Sequence, residues 1–320
     1  MNYIIIEGLA FALPLFIIAI GGIYSERSGV TNLALEGFQG FGAFAGAAVV
    51  MAITGGSVAG AEVKMFFAAL LFAMLGGALF AMIHALLCVP FKANQVISGV
   101  VINILSTALT VFLTSQINTA LFGKPTNKFV LSVCRKFTVP VISEIPVLGA
   151  FFTDVYYYQP VIIAVALYAS YLLYKSRFGL RLRACGDNPH AVDAAGGNVS
   201  KTRFIAVVIS GALSGLGGMC FAYSISASFS PGIYAGYGFL SIAALIFGNW
   251  KIGPTLGACL LFGFARSGGY KLVQELGLSS AYSDLMMTLP YLLTLLLLMF
   301  FSSSNRAPRA LGEIYDKGKR

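Results

Sequence analysis

Two histidines and twelve carboxylates are the residues from which an acid–base site could be assembled in these 320 residues. His84 and His190 pair by spacing neither with a nucleophile nor with a set of acids, so neither a hydrolytic centre nor a metal site is expected. Gly123–Thr126 reads GKPT and lacks the G-x-x-x-x-G-K-S/T spacing that cradles phosphate. Cys88, Cys134, Cys185, Cys220 and Cys259 are scattered without a CxxC pair, which suits small apolar filler. No enzyme, cofactor or metal is expected from such an inventory. What stands out is one polar stretch, GLRLRACGDNPHAVDAAGGNVSKTR (Gly179–Arg203), inside a very apolar chain.

That stretch spells a short helix. Asn188 is a good N-cap, and Pro189 suits the first helical position because its missing N–H would be unpaired there anyway. Gly196, followed by Gly197, can take the left-handed conformation that ends a helix. Residues 189–195 make about two turns, too few to persist alone in water. Small side chains at Ala191, Val192, Ala194 and Ala195 would let these turns dock closely on another protein; the alternative is an ordinary loop.

The surroundings define the class. Hydrophobic residues make up 58% and charged residues 10% of the chain, and the mean hydropathy is +0.84. A soluble core could not hide that much apolar surface. Apolar runs of roughly 20 residues recur, each able to cross a core of about 30 Å. They are continuous rather than alternating, which argues against a β-barrel. The expectation is an all-α polytopic membrane protein with about nine spans (eight to ten), at 4–23, 37–54, 65–89, 95–116, 159–175, 204–226, 238–249, 254–268 and 284–301. Residues 1–320 read as one domain. The seventh and eighth spans are short enough to be broken or re-entrant, and Pro14 and Pro290 should kink their spans. No positively charged leader precedes the first run, so that span is expected to remain in the mature chain.

The net charge of +9 suits topology better than nucleic-acid binding. Six basic residues fall in 175–203 and five in the tail 302–320. An odd span count with a cytoplasmic tail puts the N-terminus outside. It also gathers Arg27, Lys92 and Lys251 inside, which makes fourteen of the twenty-one basic residues cytoplasmic. The loop 117–158 is then external, and its EIPVLGAFF piece would rest at the membrane surface.

Other polar groups have two readings each. Gly211 and Gly215, four apart, invite close helix approach, as LGGALFA (Leu75–Ala81) does more weakly. Glu26 and Arg27 could anchor the first span or form a cytoplasmic gate. Asn32 could cap the second span, with Glu36 in its first turn. His84 reads as an interhelical residue. Asn94, Ser98 and Asn103 on the fourth span either tie helices together or line a polar pathway. Tyr223, Phe229 and Phe239, with Tyr234 and Tyr237, offer aromatic faces for a planar ring, although the last two tyrosines suit interface anchoring equally.

FGLRLRACGDNPHAVDAAGGNVSKTRFIAVVISGALSGLGG resembles the cytoplasmic loop and following helix of permease subunits of bacterial ABC importers, in the simple-sugar and nucleoside group. Its G-x-N-P core is Gly186-Asp187-Asn188-Pro189. GGIYSERSGVTNLALEGFQGFGAFAG (Gly21–Gly46), ANQVISGVVINIL (Ala93–Leu105) and GNWKIGPTLGACLLFGFARSGG (Gly248–Gly269) resemble other segments of that group, in the same order. Gln95 stands where the group usually has Glu, and Phe239-Leu240 where an aromatic–Asp pair is expected.

The resemblance implies a type II importer fold in the bacterial inner membrane. Gly186, Asp187, Asn188, Pro189, Ala191, Ala194 and Gly196 would form a coupling helix docked on a separate ATPase. Implied partners are two ATPase copies, a second permease that is identical or different, and an external substrate-binding lipoprotein. The substrate would be a nucleoside, a related ring compound such as riboflavin, or a simple sugar. The contrasting class is an ion-coupled secondary carrier, which would need intramembrane carboxylates.

Overall fold

The computed structural model describes residues 2–55, 63–131, 136–145, 148–279, 282, 285–301 and 306–318. Cys134, Pro146 and Val147 of the apolar loop piece, residues 302–305 of the tail, Lys319 and Arg320 lie outside the described residues. The helices are α1 (Asn2–Arg27), α2 (Leu35–Thr54), α3 (Val63–Cys88), α4 (Gln95–Phe122), α5 (Tyr158–Lys175), α6 (Arg177–Asp187), α7 (Pro189–Ala194), α8 (Val199–Phe221), α9 (Tyr237–Phe247), α10 (Ile252–Glu275) and α11 (Leu289–Phe301).

Five of these, α1 to α4 and the α8 stretch Val199–Ser226, are long and apolar enough to cross a membrane; the bent α5–α6 pair makes six. The expected nine are therefore not all supported. The seventh is the 11-residue α9, which reaches only ~16 Å of a ~30 Å core. The eighth, α10, is 24 residues long but carries Arg266, Lys271 and Glu275. The expectation of purely helical structure also needs correction. In the 117–158 loop β1 (Phe129–Val130) pairs with β4 (Ser228–Phe229), and β2 (Lys136–Phe137) pairs with β3 (Val155–Tyr156), both antiparallel.

α8 is the centre of the bundle and packs on α1, α2 and α3. The reason is side-chain size. A Cβ on Gly215 would collide with the Ala73 carbonyl of α3, and one on Gly77 with the Gly211 carbonyl. The two small-residue motifs thus face each other, and backbone meets backbone. Between lipid-solvated helices such close approach is a main source of association. The lipid-side faces of α3, α4 and α5 expose Leu75, Leu79, Ile104 and Leu167, as a bundle wetted by hydrocarbon should.

Pro14 lies inside α1 and cannot donate to the carbonyl four residues back. Tyr158 at the start of α5 supplies the missing donor: its hydroxyl donates to Ala10 O at 3.1 Å. Further along, Tyr24 OH donates to Ala169 O, so α5 is fixed to α1 at two levels. The α5–α6 break, with a bend of 68°, occurs at Ser176. Its backbone is extended, and its hydroxyl accepts from Gly179 N at 3.0 Å. That cap starts α6 along a new direction.

Replacing Gly215 by Ala should lower stability in detergent by about 1–3 kcal/mol through overpacking. Gly257→Ala, exposed with open space around its Cβ, should be neutral or stabilising by up to about 1 kcal/mol. Thermal unfolding of the two variants checks this; equal melting temperatures would refute the seam.

Candidate functional site

The polar stretch folds as the sequence predicts at its centre. Asn188 Oδ1 accepts from Ala191 N at 3.0 Å, Pro189 opens α7, and Gly196 sits at φ +79° just past Ala195. Val192 is buried with Cys185 and Val199 in a small apolar cluster. Asp187, Asn188, Ala191 and Ala194 are exposed. Leu180, Ala184, Asn188, Ala191 and Ala195 line a shallow groove of about 460 Å³ between α6 and α7. The site therefore offers a short, pre-capped helix with a small-residue face turned outward.

Long-range ties hold it in place. Gly186 lies so close to the Arg27 carbonyl that no Cβ would fit. Arg203, 3% exposed, donates from Nε to Ser28 O (3.0 Å), from Nη1 to Glu313 O (2.7 Å) and from Nη2 to Cys185 O (3.5 Å). One guanidinium thus joins the end of α1, the end of α6 and the tail, using the fork of donors that only arginine has. The tail adds Ala310 N to Gly186 O (2.8 Å), Gly312 N to Gly29 O (3.1 Å), and ion pairs Lys317–Asp193 (3.8 Å) and Lys92–Asp316 (3.1 Å). The ring of His190 lies 5.4 Å from that of Tyr315. Arg203 and the tail were not singled out in the sequence. The partners of Arg203 are 18 to 175 residues away along the chain and Gly312 of the tail reaches back to Gly29, so only the charge cluster hinted at them.

Glu26 and Arg27 meet the same end of the bundle. Trp250 Nε1 donates to the buried Glu26 carboxylate, and Arg27 Nε donates to Trp250 O at 3.1 Å. Asn249 and Trp250 both have positive φ, 52° and 53°, which is costly for a side chain as large as Trp. Glu26 and Arg27 hold this strained α9–α10 turn in place.

The six pathway residues are not brought together. Asn94 is exposed and precedes α4 as its N-cap, with Oδ1 accepting from Val96 N and Ile97 N; it does not share the buried face of Ser98. Ser98 Oγ bonds His84 Nδ1 at 2.8 Å. Asn103 accepts from Gly37 N and donates to Leu33 O, both at 2.8 Å. Ser98 and Asn103 are thus engaged in binding neighbouring segments, and Asn94 in capping its own helix. Tyr223 packs at a tilt against Phe66, and the fully buried Phe229 lies among Phe44, Phe129 and Tyr234. Phe239 is half-exposed on α9. Tyr234 and Tyr237 also pack inward, the latter on Phe11 and Phe221.

Two caps differ from expectation. Asn32 does not cap α2, whose N-cap is Ala34; its amide instead bridges Ala34 N and Ser210 Oγ. Glu36 accepts from Gly236 N at 2.9 Å, so its carboxylate complements the N-terminus of α9 rather than that of its own helix alone.

Arg203→Met should release the tail, because about 2–4 kcal/mol of charge-assisted bonding is lost locally. Trypsin cleavage after Arg309 should then accelerate at least tenfold, while Lys201→Met should cleave at the wild-type rate. Equal rates for Arg203→Met and wild type would show that the tail is held by other means.

The family described as branched-chain amino acid transport system / permease component matches residues 4–298. The chain is 40% identical to the guanosine ABC transporter permease protein NupQ of Bacillus subtilis, covering 100% of this chain and 98% of that protein. It is 38% identical to the nucleoside ABC transporter permease protein NupC of Lactococcus lactis subsp. cremoris, with the same coverage. With a second guanosine permease protein of B. subtilis, NupP, identity is 28% over 99% of this chain and 86% of NupP. No solved structure matches significantly. The match along nearly the whole chain settles the family: the protein belongs to the branched-chain amino acid transport system / permease component family.

Proposed function

We propose that the chain is the transmembrane permease subunit of an ATP-driven importer of nucleosides, with α7 as the helix that receives motion from a separate ATPase. The observation that carries the coupling role is the capped, outward-facing α7, tied through Gly186 and Arg203 to α1 and α8. The substrate class rests on full-length similarity to two proteins named for guanosine or nucleoside transport. Neither name mentions a flavin.

The partners are two ATPase copies, an external binding lipoprotein and a second permease. B. subtilis has two permease proteins named for guanosine, and this chain is closer to NupQ than to NupP. That favours an unlike pair in which this chain is the NupQ-type half. The reading places the protein in the bacterial inner membrane, N-terminus outside and tail in the cytoplasm. It is supported by the clustering of Arg27, Lys92, Arg203 and Lys317 around one end of the bundle. In that orientation Glu26 and Arg27 sit at the cytoplasmic gate, and Asn94, Ser98, Asn103, Tyr223, Phe229 and Phe239 act by shaping the helices around the pathway.

Asn188→Ala removes a cap worth about 1 kcal/mol. It should lower substrate-stimulated ATP hydrolysis of the purified complex several-fold, whereas Asn188→Asp, which keeps an acceptor, should stay near wild type. Full stimulation in Asn188→Ala would reject α7 as the coupling element. Nucleoside transport by the chain alone, driven by an ion gradient, would reject the importer reading for that of a secondary carrier.

A further inference from the structure

At the end of the bundle opposite α7, α1 and α10 face each other across a cleft of about 260 Å³ lined by Tyr3, Glu7, Phe11, Ser224, Arg266 and Tyr270, among others. Tyr3, Glu7 and Phe11 are spaced i, i+4, i+8 and form one wall; Arg266 and Tyr270, four apart on α10, form the other. The Arg266 guanidinium lies 4.6 Å from the centre of the Phe11 ring and 5.2 Å from that of Tyr270. Two aromatic rings thus flank the cation. Its Nε is buried without a hydrogen-bond partner, and none of the ion pairs among the described residues includes Arg266.

A cation inside an apolar helix is costly unless it is compensated or used. Here aromatic rings orient it, and no carboxylate among the described residues neutralises it. The cleft also contains a carboxylate, Glu7, held only loosely by Lys136 at 3.7 Å. Its floor includes Ser224 and Ile225 of the turn Ala222–Ser226, where the end of α8 widens to a π-helix, a feature frequent at functional sites.

A fixed guanidinium and a carboxylate on opposite walls match one nucleobase edge pattern. Guanine presents two acceptors side by side, O6 and N7, which a guanidinium fork satisfies. It also presents two donors, N1–H and N2–H, which a carboxylate accepts. Adenine has a donor where guanine has O6, and pyrimidines have no N7. We propose that this cleft is a base subsite for 6-oxopurine nucleosides on the transport route, with Arg266 donating to O6 and N7 and Glu7 accepting from N1–H and N2–H. It deepens the nucleoside reading above and rests on it.

The test is uptake by the complete transporter in proteoliposomes, with one binding lipoprotein for all variants so that its own selectivity cancels. Efficiencies (kcat/KM) are compared for guanosine, inosine and adenosine. Arg266→Lys keeps the charge but loses the fork. It should reduce the guanosine-to-adenosine and inosine-to-adenosine ratios about tenfold. Glu7→Gln should lower guanosine most, because it donates from both N1–H and N2–H, and inosine less, because it lacks the N2 amino group; adenosine, whose N1 is an acceptor, should not fall, so both the guanosine-to-inosine and the inosine-to-adenosine ratios decrease. If Arg266→Lys does not assemble, the guanosine-to-inosine ratio in Glu7→Gln decides alone. Equal losses for all three nucleosides, or unchanged ratios, would overturn the subsite while leaving nucleoside transport standing. A wild-type transporter that moves no nucleoside would overturn both readings.

Discussion

Helices already solvated by lipid gain little by hiding apolar surface from one another, so the bundle depends on how closely its backbones approach. Gly211 and Gly215 of α8 against Gly77 and Ala73 of α3 set that distance, and Gly42 of α2 closes on Gly215 from another side. α8 therefore acts as the post around which α1, α2 and α3 are placed. Polar ties then fix register: Ser98 with His84, Asn103 with the α2 entry, Asn32 with Ser210. Each satisfies a buried group that would otherwise cost energy in a nonpolar medium.

The same post carries the polar end. Asn198 caps α8, its side chain accepting from Lys201 N, directly after the α7 turn. One turn later Arg203 connects to α1, α6 and the tail. A push on α7 would thus be received by a body that includes the ends of two long helices rather than by a free loop. Buried charge with three carbonyl acceptors in fixed directions makes that body stiff, since any rotation of one segment breaks a charge-assisted bond. The braced Trp250 turn sits beside it, so α9 and α10 share the same foundation.

What was legible in the sequence is local. Asn188, Pro189 and Gly196 announce α7 because a cap, a first-turn proline and a left-handed terminator act within eight residues. The long apolar helices and the facing small-residue motifs were legible for the same reason. Partners far along the chain were not. Asn94 groups in the sequence with the polar residues of the span at 95–116, but it stands one position before α4 as its N-cap. Glu36 looked like a cap for α2, while the amide it serves is 200 residues away. Phe229 looked like a ring free to stack, but its strand partner Phe129 lies in a loop whose pairing no pattern disclosed. Arg266 carried a signal that was readable, a charge within an apolar helix, though only the fold sets Phe11 and Glu7 opposite it.

The proline of α1 has an evolutionary consequence. While Pro14 is present, Ala10 O has no helical donor and depends on the Tyr158 hydroxyl. Losing the tyrosine first leaves a bare carbonyl inside the bundle. Losing the proline first restores an amide at position 14, and the carbonyl, with two lone pairs, can accept both donors. Descendants of this chain can therefore discard the pair in one order only: the proline goes before the tyrosine, and lineages that retain the proline must also retain the hydroxyl.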